Sequence, residues 1–273
     1  MGRIREKAMS KGVLLFAFNN DTVDYYAMAI ATAKRANKFL KLPVTVVTDK
    51  STDLSKYDYE FDSVVIVEAD RSNLNAQKEV WINKGRYQAY TLSPYDETLL
   101  LDTDYLINSD TLLKPFDLYD DFMCHNSTSF LMIPEHSQEM ISELSYNTLW
   151  ATVIYFRKTS KTKQIFECME MVQKNYRHYT TLYNMTIGNY RNDFALTIAV
   201  RTVCGQTEDE QHYIPWNLVH VGKNTHVYKD TDTMYTVIYD NWQRGKIRKE
   251  YGIVTDTDFH LLDKENFMEL VNE

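Results

Sequence analysis

Strand-sized apolar runs alternating with helically spaced apolar residues constrain this chain more tightly than any other feature. Val13-Leu-Leu-Phe-Ala-Phe18 is a continuous apolar run of buried-strand length. After it, Val23, Tyr26, Ile30, Ala33 and Leu40 keep a helical spacing that ends before Pro43. Residues 44–48, 64–68 and 98–101 supply three further strands, and a helix is predicted over 76–92 with Trp81 and Tyr87 on its buried side. Strands alternating with helices at this spacing predict βαβ units, and hence a parallel sheet covered on both faces.

The second half is more mixed. Residues 130–133 and 150–156 look like strands, and 162–176 like a helix with Ile165, Met169, Val172 and Tyr176 on one face. Asp193 opens another predicted helix over 194–203. Short Thr/Val/Tyr-rich segments over 213–254 predict hairpins, and a helix over 264–271 closes the chain. No linker or internal repeat divides the 273 residues, so one α/β domain is expected. With 8 Gly and 5 Pro, collagen-like and low-complexity classes are excluded. No apolar run approaches the ~20 residues of a membrane helix, and no signal-peptide core follows the charged start, so no membrane association is expected. Three cysteines without metal spacing point to reduced thiols and a cytoplasmic location. A net charge of −8 argues against an extended nucleic-acid footprint.

The sharpest chemical signal is Leu99-Leu-Leu-Asp102-Thr-Asp104-Tyr-Leu-Ile107. Two carboxylates, two apart, follow an apolar strand at the edge where open α/β sheets bind ligands. Such oxygens suit Mg²⁺ or Mn²⁺, which typically bridge to phosphates. A calcium loop would need an oxygen ligand and a glycine where Leu106 and Ile107 stand. The segment from Asp49 to Glu60 matches more calcium-ligand positions but has Leu54 in place of the glycine. A phosphatase of the haloacid-dehalogenase type would use Asp102 as a nucleophile, but its aspartate pair normally follows the first strand. The third chemistry is metal-dependent transfer of a sugar.

At this point nearly the whole chain resembles the GT-A fold of glycosyltransferases, nearest to family-8-like enzymes and the small glycosyltransferase-like proteins of bacteriophage genomes. The resemblance implies a Rossmann-like α/β fold with a mostly parallel central sheet and a C-terminal hairpin region. It divides the single domain into a nucleotide-sugar half, 1–125, and an acceptor half, 126–273. It implies that Phe18 and Asn19 hold the nucleobase, that Asp49 contacts base or ribose, and that Arg86 and Thr103 belong to the donor site with Asp102. Asn147-Thr-Leu-Trp-Ala-Thr152 occupies the place of the family's Asn-x-Gly strand without its glycine. Arg191-Asn192-Asp193 resembles the amide/acid pair that contacts donor or acceptor sugar, although Asp193 reads equally as a helix cap.

The family's last element is a C-terminal histidine completing the metal site, with a lysine on the diphosphate. Asp258-Phe-His260-Leu-Leu-Asp-Lys264 resembles it, with His220-Val-Gly-Lys223 as the competing match. His260 is preferred, because a lysine four residues on would lie on the same side of a helical turn. The implied cofactor is Mn²⁺ or Mg²⁺ on Asp102, Asp104 and His260, with a uridine-diphosphate sugar as co-substrate and Lys264 on its phosphates. The implied acceptor is a glycan, a protein or a modified DNA base, the last disfavoured by the acidic charge. A viral origin would place the chain in the host cytoplasm. Two alternatives stay open: a GT-A-like binding protein without turnover, and the phosphatase.

Overall fold

The computed structural model describes residues 9–74, 80–82, 84–118, 120–143, 145–185, 189–205, 213–222, 224–243 and 246–272. In chain order the strands are β1 (Lys11–Phe16), β2 (Val44–Asp49), β3 (Ser63–Val67), β4 (Glu97–Leu101), β5 (Tyr105–Leu106), β6 (Phe122–His125) and β7 (Thr128–Phe130). There follow β8 (Ile133–Ser137), β9 (Trp150–Arg157), β10 (Leu218–Val221), β11 (His226–Lys229), β12 (Met234–Gln243), β13 (Lys246–Thr255) and β14 (Phe259–Leu261). The helices are α1 (Tyr25–Arg35), α2 (Ala89–Leu92), α3 (Ser160–Lys174), α4 (Tyr176–Leu182), α5 (Asn192–Val203) and α6 (Lys264–Asn272).

The central sheet has the order β3-β2-β1-β4-β9-β6. Its first four strands pair in parallel, and β9 runs antiparallel to both β4 and β6. Strands buried on both faces read as unbroken apolar runs, which is why β1 and β4 stand out in the sequence. Their alternation sorts the core. Leu14, Leu100 and Ile154 meet α3 and α5 on one face, while Val13, Leu15, Leu99 and Val153 meet α1 on the other. Asp24 starts α1 by accepting from the Ala27 N–H at 2.9 Å. The fold is therefore mixed α/β, with a parallel-dominated sheet flanked by helices. Among the described residues no helix is long and apolar enough to cross a membrane.

A second sheet, β5-β14-β10-β7-β8, joins short strands from distant parts of the chain. Its pairing β10–β14 is parallel and sets His220 opposite His260, while β14–β5 is antiparallel and sets His260 opposite Tyr105. The hairpins expected over 213–254 form a three-stranded antiparallel sheet, β11-β12-β13, but His220 lies outside it on β10.

Three expectations about local structure are corrected. The described part of 76–92 is not one helix. A bridge joins Leu74 to Val80, a 3₁₀ segment covers Lys84–Gln88, and only α2 is α-helical; 75–79 and 83 lie outside the described residues. Segment 130–133 is not one strand: Phe130 ends β7, Ile133 begins β8, and Leu131 and Met132 form the turn between them. His260 and Lys264 do not share a helical turn: the histidine is on β14 and the lysine opens α6. The break between strand and helix still lets both side chains reach the same carboxylate.

Candidate functional site

The site is built where the two sheets meet. β4 ends at Leu101, and Asp102, Thr103 and Asp104 form the link to β5. Two contacts fix this link: the Thr32 hydroxyl donates to the Thr103 carbonyl at 2.7 Å, and the Asp102 N–H donates to the Thr152 carbonyl at 2.9 Å. Because β9 runs antiparallel to β4, its first residues lie at the same sheet edge as the end of β4. Trp150, Ala151 and Thr152 thereby enter the site. On the other side, the Leu261 N–H donates to the Asp104 carbonyl at 3.0 Å and holds β14 against the acids.

One oxygen each of Asp102 and Asp104 and one nitrogen of His260 lie within 4.8 Å of one another. His260 Nε2 is 3.0 Å from Asp104 Oδ2, and Lys264 Nζ donates to that same oxygen. Arg86 donates to Asp102 through Nη1 and to the Ala151 carbonyl through Nη2 at 2.5 Å. The Ala151 N–H in turn donates to Asp193 Oδ1 at 2.9 Å, and Arg191 holds Asp193 Oδ2 at 2.9 Å. Asp193 therefore does not act as a side-chain cap. The cap position is Arg191, and the Asp193 carboxylate is bonded to the start of β9. One residue, Ala151, ties the Arg86–Asp102 pair to Asp193 through its N–H and its carbonyl.

Burial alone would raise the Asp104 carboxyl, but the charges of His260 and Lys264 and their hydrogen bonds outweigh it and hold the group well below the usual carboxylate range. Burial likewise works against the Lys264 ammonium, and Asp104 more than offsets it, raising its pKa. Burial, with His260 alongside, pushes the His220 imidazole down to about 3, so it is neutral near pH 7. His220 Nδ1 stands 3.1 Å from His260 Nδ1, and Trp150 meets the His220 ring edge-on at 5.1 Å.

These groups line a cavity of about 520 Å³, together with Phe16, Phe18, Tyr25, Ile82, Arg191 and Asn192. Of the residues singled out in the sequence, Phe18, Arg86, Asp102, Thr103, Asp104, Asn192, Asp193, His260 and Lys264 all line it. Asn19 and Asp49 do not. The Asn19 amide donates to the Tyr57 hydroxyl and accepts from the Tyr26 N–H, while Asp49 accepts from Ser51 and from Arg71 at 2.9 Å. His220, set aside in favour of His260, lines the cavity beside it. Phe130 and Glu139 line it too, and no sequence motif marks either.

The two acids and the imidazole form a mixed oxygen and nitrogen donor set, which fits a divalent ion and suits Mn²⁺ better than Mg²⁺. The charges are informative. Asp102 and Asp104 bring two negative charges, and Arg86 and Lys264 bring two positive ones, each base in contact with one acid. A dication alone would overcharge this balanced set. Together with an anionic diphosphate it would not.

No protein-family model matches the chain, and neither does any curated protein. Among solved structures, the chain is similar to the glycosyltransferase GlyE of Streptococcus pneumoniae TIGR4, at 14% identity and a TM-score of 0.39 over 75% of this chain. That match spans 44% of GlyE, less than half its length. The chain is also similar to the galactosyltransferase LgtC, solved with donor and acceptor sugar analogs, at 12% identity and a TM-score of 0.45 over 69% of this chain and 70% of LgtC. A glucose-1-phosphate thymidylyltransferase from Bacillus anthracis is similar over 75% of this chain and all of its own, at 6% identity and a TM-score of 0.40. Likeness of this degree says nothing about activity.

Proposed function

We propose that the chain is a metal-dependent glycosyltransferase of GT-A type that moves a sugar from a nucleoside diphosphate, uridine diphosphate first among candidates, to a hydroxyl-bearing acceptor. The observation that carries this reading is the balanced cluster of Asp102, Asp104, His260, Lys264 and Arg86 at the end of a central parallel strand, inside a cavity of nucleotide-sugar size.

Asp102, Asp104 and His260 would hold Mn²⁺, which when bound supplies positive charge to a departing diphosphate. Lys264 reaches the same place from the start of α6 and adds a fixed positive charge to that leaving group. Arg86 keeps the Asp102 carboxylate in place and screens it from Asp193. Phe18 offers a ring to the base, while Ala151, Asn192 and Asp193 form the wall against which the sugar hydroxyls would bond. Asp193 has both carboxylate oxygens in use, which suits it to hold a sugar in register. The Trp150 ring borders the sugar end and helps exclude water, limiting hydrolysis of the donor.

The reading is tested by a thermal-shift screen of nucleotide sugars with and without Mn²⁺. A specific donor should raise the melting temperature only when Mn²⁺ is present, through mass action on the folded state. Stabilisation by a phosphate monoester with Mg²⁺ and no response to any nucleotide would favour the phosphatase chemistry at Asp102. Stabilisation by a nucleotide sugar with no release of nucleoside diphosphate would favour a binding protein.

A further inference from the structure

His220 and His260 are paired by fold, not by sequence. Parallel pairing of β10 with β14 sets the two residues directly opposite each other, and their rings meet with centroids 5.1 Å apart. The contact is Nδ1 to Nδ1 at 3.1 Å, so one of these nitrogens must carry the proton and the other must accept it. The far nitrogen of His260, Nε2, faces Asp104. The far nitrogen of His220, also Nε2, has no partner among the described residues, although the residue is only 7% exposed. His220 lines both the main cavity and a second one of about 300 Å³ that includes Phe130, Asn224, Tyr239 and Asp240. The orphaned ring nitrogen is itself buried, on a residue that borders both cavities.

Each neutral imidazole carries one proton, and the shared contact links the two choices. With no ion present and both rings neutral, a His260 Nε2–H donating to Asp104 leaves its Nδ1 to accept from His220 Nδ1–H, and His220 Nε2 then holds a lone pair. Once His260 Nε2 gives its lone pair to an ion, its proton must sit on Nδ1 and point at His220. His220 Nδ1 then accepts, and its own proton moves to Nε2. No proton is gained or lost overall: both rings exchange one tautomer for the other.

We propose that His220 is the positioning residue for the ligand His260, and that loading the metal site exchanges the tautomers of both rings, so that His220 accepts at Nδ1 and carries its proton on the buried Nε2. The inference rests on the metal-dependent reading above. In the loaded state Nδ1 of His220 accepts from His260 and Nε2 carries the proton, so neither nitrogen is free to be the base that deprotonates the acceptor.

The test is Mn²⁺ uptake by the purified full chain, followed by electron paramagnetic resonance with and without uridine diphosphate, in parallel with thermal melts. An asparagine amide overlays the Nδ1 position of histidine, and a glutamine amide overlays Nε2. His220→Asn keeps an acceptor for His260 and should bind Mn²⁺ within about threefold of the unsubstituted chain, whereas His220→Gln and His220→Phe should lose about tenfold. His260→Ala should lose at least as much. If His220→Gln and His220→Phe bind as the unsubstituted chain does while His260→Ala does not, the pairing is only packing and the inference fails with the metal reading intact. If His260→Ala and Asp104→Asn also bind normally, or nothing binds Mn²⁺ at all, the metal reading itself fails. A second readout needs no variant. In histidine-¹⁵N-labelled protein, Mg²⁺ with uridine diphosphate should exchange the protonated nitrogen on both rings, and unchanged tautomers in the loaded protein would overturn the proposal.

Discussion

At the residue scale, the site is governed by charge balance. Lys264 and His260 both address Asp104, and Arg86 addresses Asp102, so the acids are already compensated. Replacing Lys264 with Met keeps much of the stem's bulk and leaves the cluster one charge more negative. Lys264→Met should therefore bind Mn²⁺ alone several-fold more tightly and uridine diphosphate at least tenfold more weakly, as titration calorimetry with each ligand would show. Loss of both affinities together would mean that the lysine acts by packing. A second residue-scale prediction concerns His125, which is fully buried, donates through Nδ1 to the Trp216 carbonyl and is pushed by burial down to about 4 from 6.5. Between those values the unfolded chain binds a proton that the folded chain refuses, so stability rises with pH across the window and is lost as pH falls. His125→Asn keeps a donor for Trp216 without the titration. Its unfolding free energy should drop by about 2 kcal/mol less than that of the unsubstituted chain between pH 7 and pH 5. Equal drops in urea melts would contradict the assignment.

At the scale of elements, the C-terminal segment does two jobs. β14 carries His260 between β5 and β10, and α6 begins at Lys264 and packs Phe267 and Leu270 into a core of its own with Met28, Val227 and Tyr235. The Lys264 ammonium is therefore placed by α6 packing rather than by the central sheet. Leu270→Ala and Met169→Ala, the latter on α3, each remove a buried side chain and should cost about 2–4 kcal/mol. Only Leu270→Ala should also weaken nucleotide binding, measured at a temperature where both variants remain folded. Equal loss of affinity in the two would mean that α6 has no particular role in placing Lys264.

At the scale of the whole molecule, the sequence is legible where burial on two faces leaves continuous apolar runs. β1, β2, β4, α1 and α5 could be read because local pattern and final environment agree. The second sheet could not. β5 has two residues and β7 three, too few for any periodicity, and their partners β14 and β10 lie more than eighty positions away in the chain. Residues 84–92, with Gly85 near the start and Pro94 just beyond the end, spread their apolar side chains as a helix would, yet most of the segment takes a tighter 3₁₀ form. In the site, Asp102 and Asp104 announce themselves because they follow a buried strand directly. Placing His260 needed resemblance, because nothing local ties it to residues about 156 positions earlier. His220 looked like a rival of His260 in one dimension and is its neighbour in three, a fact that only strand pairing could supply.

In the proposed function, Asp102, Asp104 and His260 together run metal-dependent transfer from a nucleotide sugar. Its most direct test is release of uridine diphosphate from a panel of uridine-diphosphate sugars, with water or added glycans as acceptor. The unsubstituted chain should release the nucleotide with Mn²⁺ and stop when the ion is chelated. Asp102→Asn and His260→Ala should each lose at least a hundredfold while melting as folded proteins. Release that continues undiminished in chelator, or in both variants, would contradict the account.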